Sequence, residues 1–478
     1  MSIDKKLLDT FRLDGRWALP GNPVEKGVPG HLQFDPQNGI QLSTESPFER
    51  PKNGVAIRPV PYDIIHGVTR SAQLVTLVQC TGGAAGVNAS SNVFVMPGSY
   101  KAIFLIVGEL VSSPADLKYR AVSATYHNLE EFVGISGIRA DGDPPRLWYE
   151  DKSPFLSQLE NFRIEIANHG SYDFDFFHQA SLNERARVDV SLADDRDEIH
   201  IEEFLRGPLA SVHYLLQFAL GRRVPMLELM ATTARTEREL DGRRVAVPVQ
   251  VFFAQRRPLP VPRRQSLPKF LFTLTTLGSE CTKYLNLWHK SFGSLRDAMD
   301  FYFSFDPVAD TDVSQHHHFL NVVNAFEALH RAVGKKQLLW DEAGHQTRLC
   351  QAINPAAKSS LRKWIKGRLR HSNEVSLEQR IRDALSQVPQ QLCSVFGDKA
   401  FARDVATTRN ALTHHTETLK AEAITSVHDL WIATTRIRLL IQIEFLRQMG
   451  IINDLLPEII SRSTEFKILS ERASSKDA

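Results

Sequence analysis

Cysteine is scarce. Cys80, Cys281, Cys350 and Cys393 are the only four in 478 residues, and they lie far apart. Without the paired spacing of a zinc site or a small disulfide scaffold, they are expected to be reduced, buried thiols. A charge of one sign is also missing: 57 Lys and Arg against 55 Asp and Glu leave a net +2. Any nucleic-acid contact must therefore come from a local patch and not from the overall field. Long apolar runs are absent. The nearest, 439–446, is interrupted by Gln442 and Glu444, far short of the roughly 20 residues that a membrane helix needs. Residues 1–14 alternate charges with short apolar pairs and lack the apolar core of a signal peptide. A cytoplasmic protein without membrane contact is expected. Glycine-rich nucleotide loops are missing as well, because 82–86 (GGAAG) lacks both the Gly-x-Gly-x-x-Gly order and a Gly-Lys-Ser/Thr ending. Likewise 134–137 (GISG) misses the spacing of a nucleophile elbow.

What is present is an ordinary globular composition, 42% hydrophobic and 23% charged. The length calls for two or three domains. From Trp17 to about Ser136 short β-rich runs are cut by Gly, Pro and Asn, with Asn38-Gly39 between two alternating runs as a hairpin signal. Further strands are expected at 73–80, 93–96, 102–107, 132–138, 162–167, 186–192 and 199–201. The period then changes, and Leu205, Leu209, Val212, Leu215, Leu216 and Leu220 predict a helix over 204–220 that ends at Gly221. The helix is expected to continue to about 232, with a strand at 249–254. Residues 256–268 (RRPLPVPRRQSLP) carry four prolines and are the linker candidate.

Everything after that linker has helical spacing. Helices are expected at 270–292, at 319–333 with Phe319, Val322, Val323 and Phe326 on one stripe, and at 361–369 with Leu361 and Trp364 on another. Three more runs are expected at 381–388, 401–412 and 424–449. The fold class is α+β: a β-rich, sandwich- or barrel-like domain over 1–255, the linker 256–268, and an all-α bundle over 269–478.

One stretch of that bundle carries chemistry. Residues 409–415 (RNALTHH) place Arg409, Asn410 and His414 within six residues. A histidine can carry a proton near neutral pH, a guanidinium can hold two oxygens of one phosphate, and the amide can orient either. On a helix Asn410 and His414 share a face, whereas Arg409 and His414 stand about 140° apart. The two converge only if the helix ends or bends near Thr413, or if a second protomer completes the site. The bland alternative is a solvated helix end, where Arg and His favour the negative pole of the dipole.

The Arg-Asn-x3-His spacing in a helical run, preceded by the helical run 319–333, resembles the HEPN domain. Residues 319–331 (FLNVVNAFEALHR) look like the first long helix of the ApeA-like group of HEPN proteins. Residues 13–22 (LDGRWALPGN) and 29–32 (PGHL) look like the start of that group's amino-terminal domain. The resemblance implies a metal-independent endoribonuclease, without cofactor, whose motifs meet across a dimer or higher homo-oligomer. It implies RNA as substrate, Arg409, Asn410 and His414 as catalytic residues, and His415 as a possible substitute for His414. It further implies bacterial anti-phage defence by abortive infection, with the amino-terminal domain as sensor or restraint and a phage-derived trigger.

Other residues are weighed beside these. Glu327, on the first matching helix, is expected to pair with Arg409 across the bundle or else to face solvent. Arg362, Lys366 and Arg370 succeed one another at i, i+4 and predict a basic stripe that tracks RNA phosphates, or a solvated face. His316, His317 and His318 point about 100° apart on a helix and cannot jointly hold one ion, so no metal site is expected. Two competing functions are a non-catalytic RNA- or protein-binding dimerisation module, and a carbohydrate- or protein-binding β domain on a helical scaffold.

Overall fold

The computed structural model describes residues 3–49, 59–85, 88–90, 93–143, 146–175, 179–193, 197–240, 242–255, 265, 269–306, 310, 312–334, 337–353, 358–369, 372–397, 400–414 and 421–476. The chain forms two compact units, 1–289 and 290–478.

The first unit is built on strands β1 (Phe11–Ala18), β2 (Val28–Asp35), β3 (Gly39–Thr44), β4 (Val60–Thr69), β5 (Leu74–Ala84), β6 (Gly98–Ala102) and β7 (Phe104–Val107). It continues through β8 (Ala121–Tyr126), β9 (Phe155–Gln158), β10 (Phe162–Asp175), β11 (Gln179–Leu192), β12 (Met226–Thr232) and β13 (Val249–Phe253). β6 pairs with both β3 and β5, so the order β5-β4-β1-β2-β3-β6 closes into a six-stranded barrel. From β5 the same sheet runs on as β7-β13-β12-β8-β11-β10-β9.

Alternation drives the barrel: Leu32, Phe34, Ile40 and Leu42 point inward and are fully or almost fully buried. The β2–β3 turn obeys its sequence signal. Gly39 has φ +82°, and Asp35 Oδ1 accepts the backbone N–H of Gln37 and of Asn38, each at 2.8 Å. Those bonds, the one from Asn38 foremost, lower the Asp35 pKa. Trp17 is completely buried and lies on Gly67, where a Cβ would come within 2.4 Å of its ring.

The structure revises several expectations. The strand expected at 132–138 starts instead as the end of a short helix, α1 (Leu129–Val133), set between left-handed Asn128 and Gly134. The helix expected to run to 232 is two helices, α2 (Ile201–Arg206) and α3 (Pro208–Leu220), broken at Gly207, and residues 226–232 form strand β12. Left-handed Gly221 ends α3, and Met226, Leu229 and Ala231 are then buried between β8 and β13, so sheet pairing overrides helical spacing.

The linker expected at 256–268 lies outside the described residues apart from Gln265, and the compact units divide later, after His289. The reason is packing. Phe270, Leu271, Phe272 and Leu274 are buried, and Phe272 meets Phe132 and Phe218. Trp288 stacks on Phe218 and donates to the Ser211 carbonyl at 2.9 Å. The single helix expected over 270–292 is therefore a 3-10 turn (Thr275–Glu280) interrupted at Gly278, φ +66°, and then α4 (Cys281–Tyr302).

The second unit is helical: α5 (Gln315–Ala332), α6 (Glu342–Ala352), α7 (Ser359–Arg368), α8 (Leu377–Leu385), α9 (Phe401–His414), α10 (Val427–Gln448), α11 (Leu455–Ser461) and α12 (Thr464–Lys476). Its centre is α10, apolar almost all round, with Ile437, Leu440, Ile441, Ile443 and Phe445 buried. α10 packs along α5, whose Phe319, Val322, Val323, Phe326 and Leu329 form the complementary stripe. Ser314 caps α5 through the His317 N–H, and Ser426 caps α10 through the Asp429 N–H. Two polar side chains of this core make bonds inside it: Arg438 pairs with Glu465 at 3.0 Å, and Gln442 donates to the Tyr302 hydroxyl at 3.0 Å.

Candidate active site

α9 positions the motif. Phe401, Val405, Thr408 and Ala411 recur at helical spacing and are buried, so Arg409 and Asn410 flank the packed face, half-buried. Thr408 fixes the return of the chain, because its hydroxyl accepts the Ile424 N–H at 2.9 Å while donating to the Asp404 carbonyl at 2.6 Å.

Arg409 is held from two sides. Its Nη2 donates to Glu327 Oε2 on α5 at 3.2 Å, and its Nη1 donates to Asn410 Oδ1 at 3.1 Å. The Glu327 side chain is 14% exposed and that of Arg409 30%. A guanidinium has five N–H donors, so N–H groups remain for an incoming oxyanion.

His414 is the last residue of α9 and is exposed. The helix stays regular through it, and Thr413 returns its hydroxyl to the Arg409 carbonyl at 2.7 Å within the last turn. Arg409 and His414 of one chain accordingly stay about 140° apart around the axis. Asn410 lies between them, bonded to Arg409 and one turn before His414. His415 and Arg370 lie outside the described residues.

One residue that the sequence did not single out bears on this site. Arg380 on α8 is only 2% exposed, donates to His330 Nδ1 on α5 at 2.9 Å and to Gln337 at 2.7 Å, and its Nε donates to the Val375 carbonyl. Burial first, then the nearby Arg331 charge, lowers the Arg380 pKa, while Glu327 pulls it back up. Glu327 thus bonds the Arg409 guanidinium and also acts electrostatically on that of Arg380. Nothing in its spacing sets Arg380 apart from its exposed neighbour Arg382, so no sequence signal marks it.

The remaining candidates disperse. His316 and His317 are exposed, while His318 is buried with its ring 3.8 Å from that of Phe305. Arg362 and Lys366 are exposed on α7, yet the apolar face expected behind them is not packed: Leu361 is 47% and Trp364 59% exposed. α7 buries none of its residues. Its hydrophobic spacing is amphipathic, but among the described residues Leu361 and Trp364 stay exposed and only Ile365 of its apolar side is half-buried.

A barrel-based β-rich unit followed by a helical bundle carrying Arg-Asn-x3-His is the arrangement of a HEPN-domain protein. The chain belongs to the ApeA family: ApeA N-terminal domain 1 matches residues 12–288, and Apea-like HEPN matches residues 320–455. No curated protein and no solved structure matches the chain. Among the described residues, no helix is long and apolar enough to cross a membrane.

Proposed function

We propose that the protein is a metal-independent endoribonuclease that acts in anti-phage abortive infection, with its active centre completed by a second copy of the chain. The observation that carries this reading is the fixed Arg409 fork, braced by Glu327 and Asn410 one turn before an exposed His414. His414 takes the proton of a ribose 2′-OH, and the 2′-oxygen attacks the adjacent phosphorus. Arg409 stabilises the charge that develops on the phosphorane oxygens. The 5′-oxygen leaves with a proton from a second imidazole, giving a 2′,3′-cyclic phosphate and a 5′-OH. The 140° between Arg409 and His414 in one helix favours a site shared by two protomers. DNA, lacking the 2′-OH, is inert. An unrestrained ribonuclease would poison its host, so the barrel unit acts as sensor or restraint and releases the nuclease on a phage-derived cue.

The test incubates wild type and His414→Ala with total bacterial RNA in EDTA, with and without phage-infected extract, and maps fragment ends. Cleavage by wild type alone, leaving cyclic-phosphate ends, is expected. Equal cleavage by both removes His414 from the chemistry, and no cleavage by either under both conditions leaves a binding module.

A further inference from the structure

α6 and α7 form an arm between α5 and α8, and its root is closed by backbone pairing. The Leu339 N–H donates to the Asn373 carbonyl at 2.8 Å and the Val375 N–H to the Gln337 carbonyl at 3.0 Å. Asn373 grips Trp340 at both ends, accepting its N–H and donating to its carbonyl, each at 2.9 Å. Yet Trp340 is 38% exposed, and Trp364 and Leu361 on α7 are more so. Each tryptophan carries a guanidinium: Arg348 lies 4.2 Å from the Trp340 centroid and Arg368 5.7 Å from that of Trp364. Within 358–369 stand Lys358, Arg362, Lys363, Lys366 and Arg368, with no Asp or Glu. Five cations in one segment of a chain whose total is +2 make a concentrated local field.

We propose that this arm is a stacking platform for single-stranded RNA, with unpaired bases laid on Trp340 and Trp364 and phosphates tracked by the cations of α7. The proposal rests on the ribonuclease reading and names its substrate class. The charge selects the occupant. An apolar protein partner would leave five cations to be neutralised, whereas a single strand supplies phosphates and π-faces together. Aromatic rings and guanidinium planes are both surfaces on which splayed bases stack. A duplex hides its base faces and can use only the cations. The Asn373 clasp fixes the root of Trp340 before any strand arrives, which lowers the ordering cost of binding.

The experiment measures binding by the full chain carrying His414→Ala, using fluorescence anisotropy with a labelled single-stranded RNA of about 20 nucleotides and a duplex of the same length. Because this chain is read for binding and not for cleavage, the result does not depend on whether the nuclease reading holds. Trp364→Ala and Trp340→Ala are each expected to weaken single-strand binding by about tenfold and to leave duplex binding unchanged, while Trp364→Phe stays within about twofold. Unchanged single-strand affinity in Trp364→Ala overturns the proposal. Equal loss on single strand and duplex also overturns it. So does a change of sedimentation by Trp364→Ala with RNA affinity intact, which would make the face a contact between copies.

Discussion

Arg409 serves three groups at once, and that sets what substitutions do. The planar fork reaches Glu327, Asn410 and, in the proposed reaction, a phosphate. Arg409→Lys keeps the charge but loses the fork, so cleavage is expected to fall by about a hundredfold with the thermal midpoint nearly unchanged, read by single-turnover assays and calorimetry. Glu327→Gln keeps the shape and removes the charge that Arg409 and Arg380 share. About a tenfold lower rate is expected, with the cleavage products unaltered, because the fork loses orientation and not chemistry. Arg380→Ala removes a buried donor to His330, Gln337 and the Val375 carbonyl, and about 3 kcal/mol of stability should be lost in urea unfolding. The motif itself was legible, since Arg409, Asn410 and His414 are near neighbours in sequence. Arg380 was not, because its role depends on partners 5 to 50 residues away that only packing brings together.

Elements show where local spacing is decisive and where it yields. α5 and α10 obey their apolar patterns, although α5, capped by Ser314, starts four residues before the expected 319 and α10, capped by Ser426, starts three residues after the expected 424. β12 does not: Met226–Thr232 has a pattern compatible with helix, but two waiting strands supply backbone partners and bury one face. α7 is the opposite case, an amphipathic helix whose Leu361 and Trp364 stay exposed. Spacing predicts which residues share a face; it does not say whether another element covers that face. Gly278 likewise breaks a run that hydrophobicity alone would continue, because its positive φ turns the chain into α4.

For the whole molecule, proton uptake and pairing of copies give two tests. His289, bonded to the Ser211 hydroxyl, and His318, against Phe305, are pushed by burial to about 3. Their folded forms stay neutral while the unfolded chain binds protons below about 6.5, so stability falls as pH drops from 6.5 toward 3. Each should cost about 2 kcal/mol at pH 5 relative to pH 7, and His318→Leu should remove about half of that dependence in chemical unfolding at the two pH values. Mixing Arg409→Ala with His414→Ala tests the shared site. If one copy gives Arg409 and the other His414, the heterodimer keeps one such pair but lacks one of the two imidazoles, so cleavage above either variant alone and below about a quarter of wild type is expected after subunit exchange. By itself the sequence determined the α+β class, the β-then-helical order and the Arg-Asn-x3-His motif, because alternation, helical period and motif are local patterns along the chain. Tertiary structure decided the barrel closure through β6, the place of residues 269–289 with the first unit, the Glu327–Arg409 bond and the exposure of Leu361 and Trp364 on α7. Each of these depends on which distant surfaces compete for one face or one donor, a choice that no window of sequence contains.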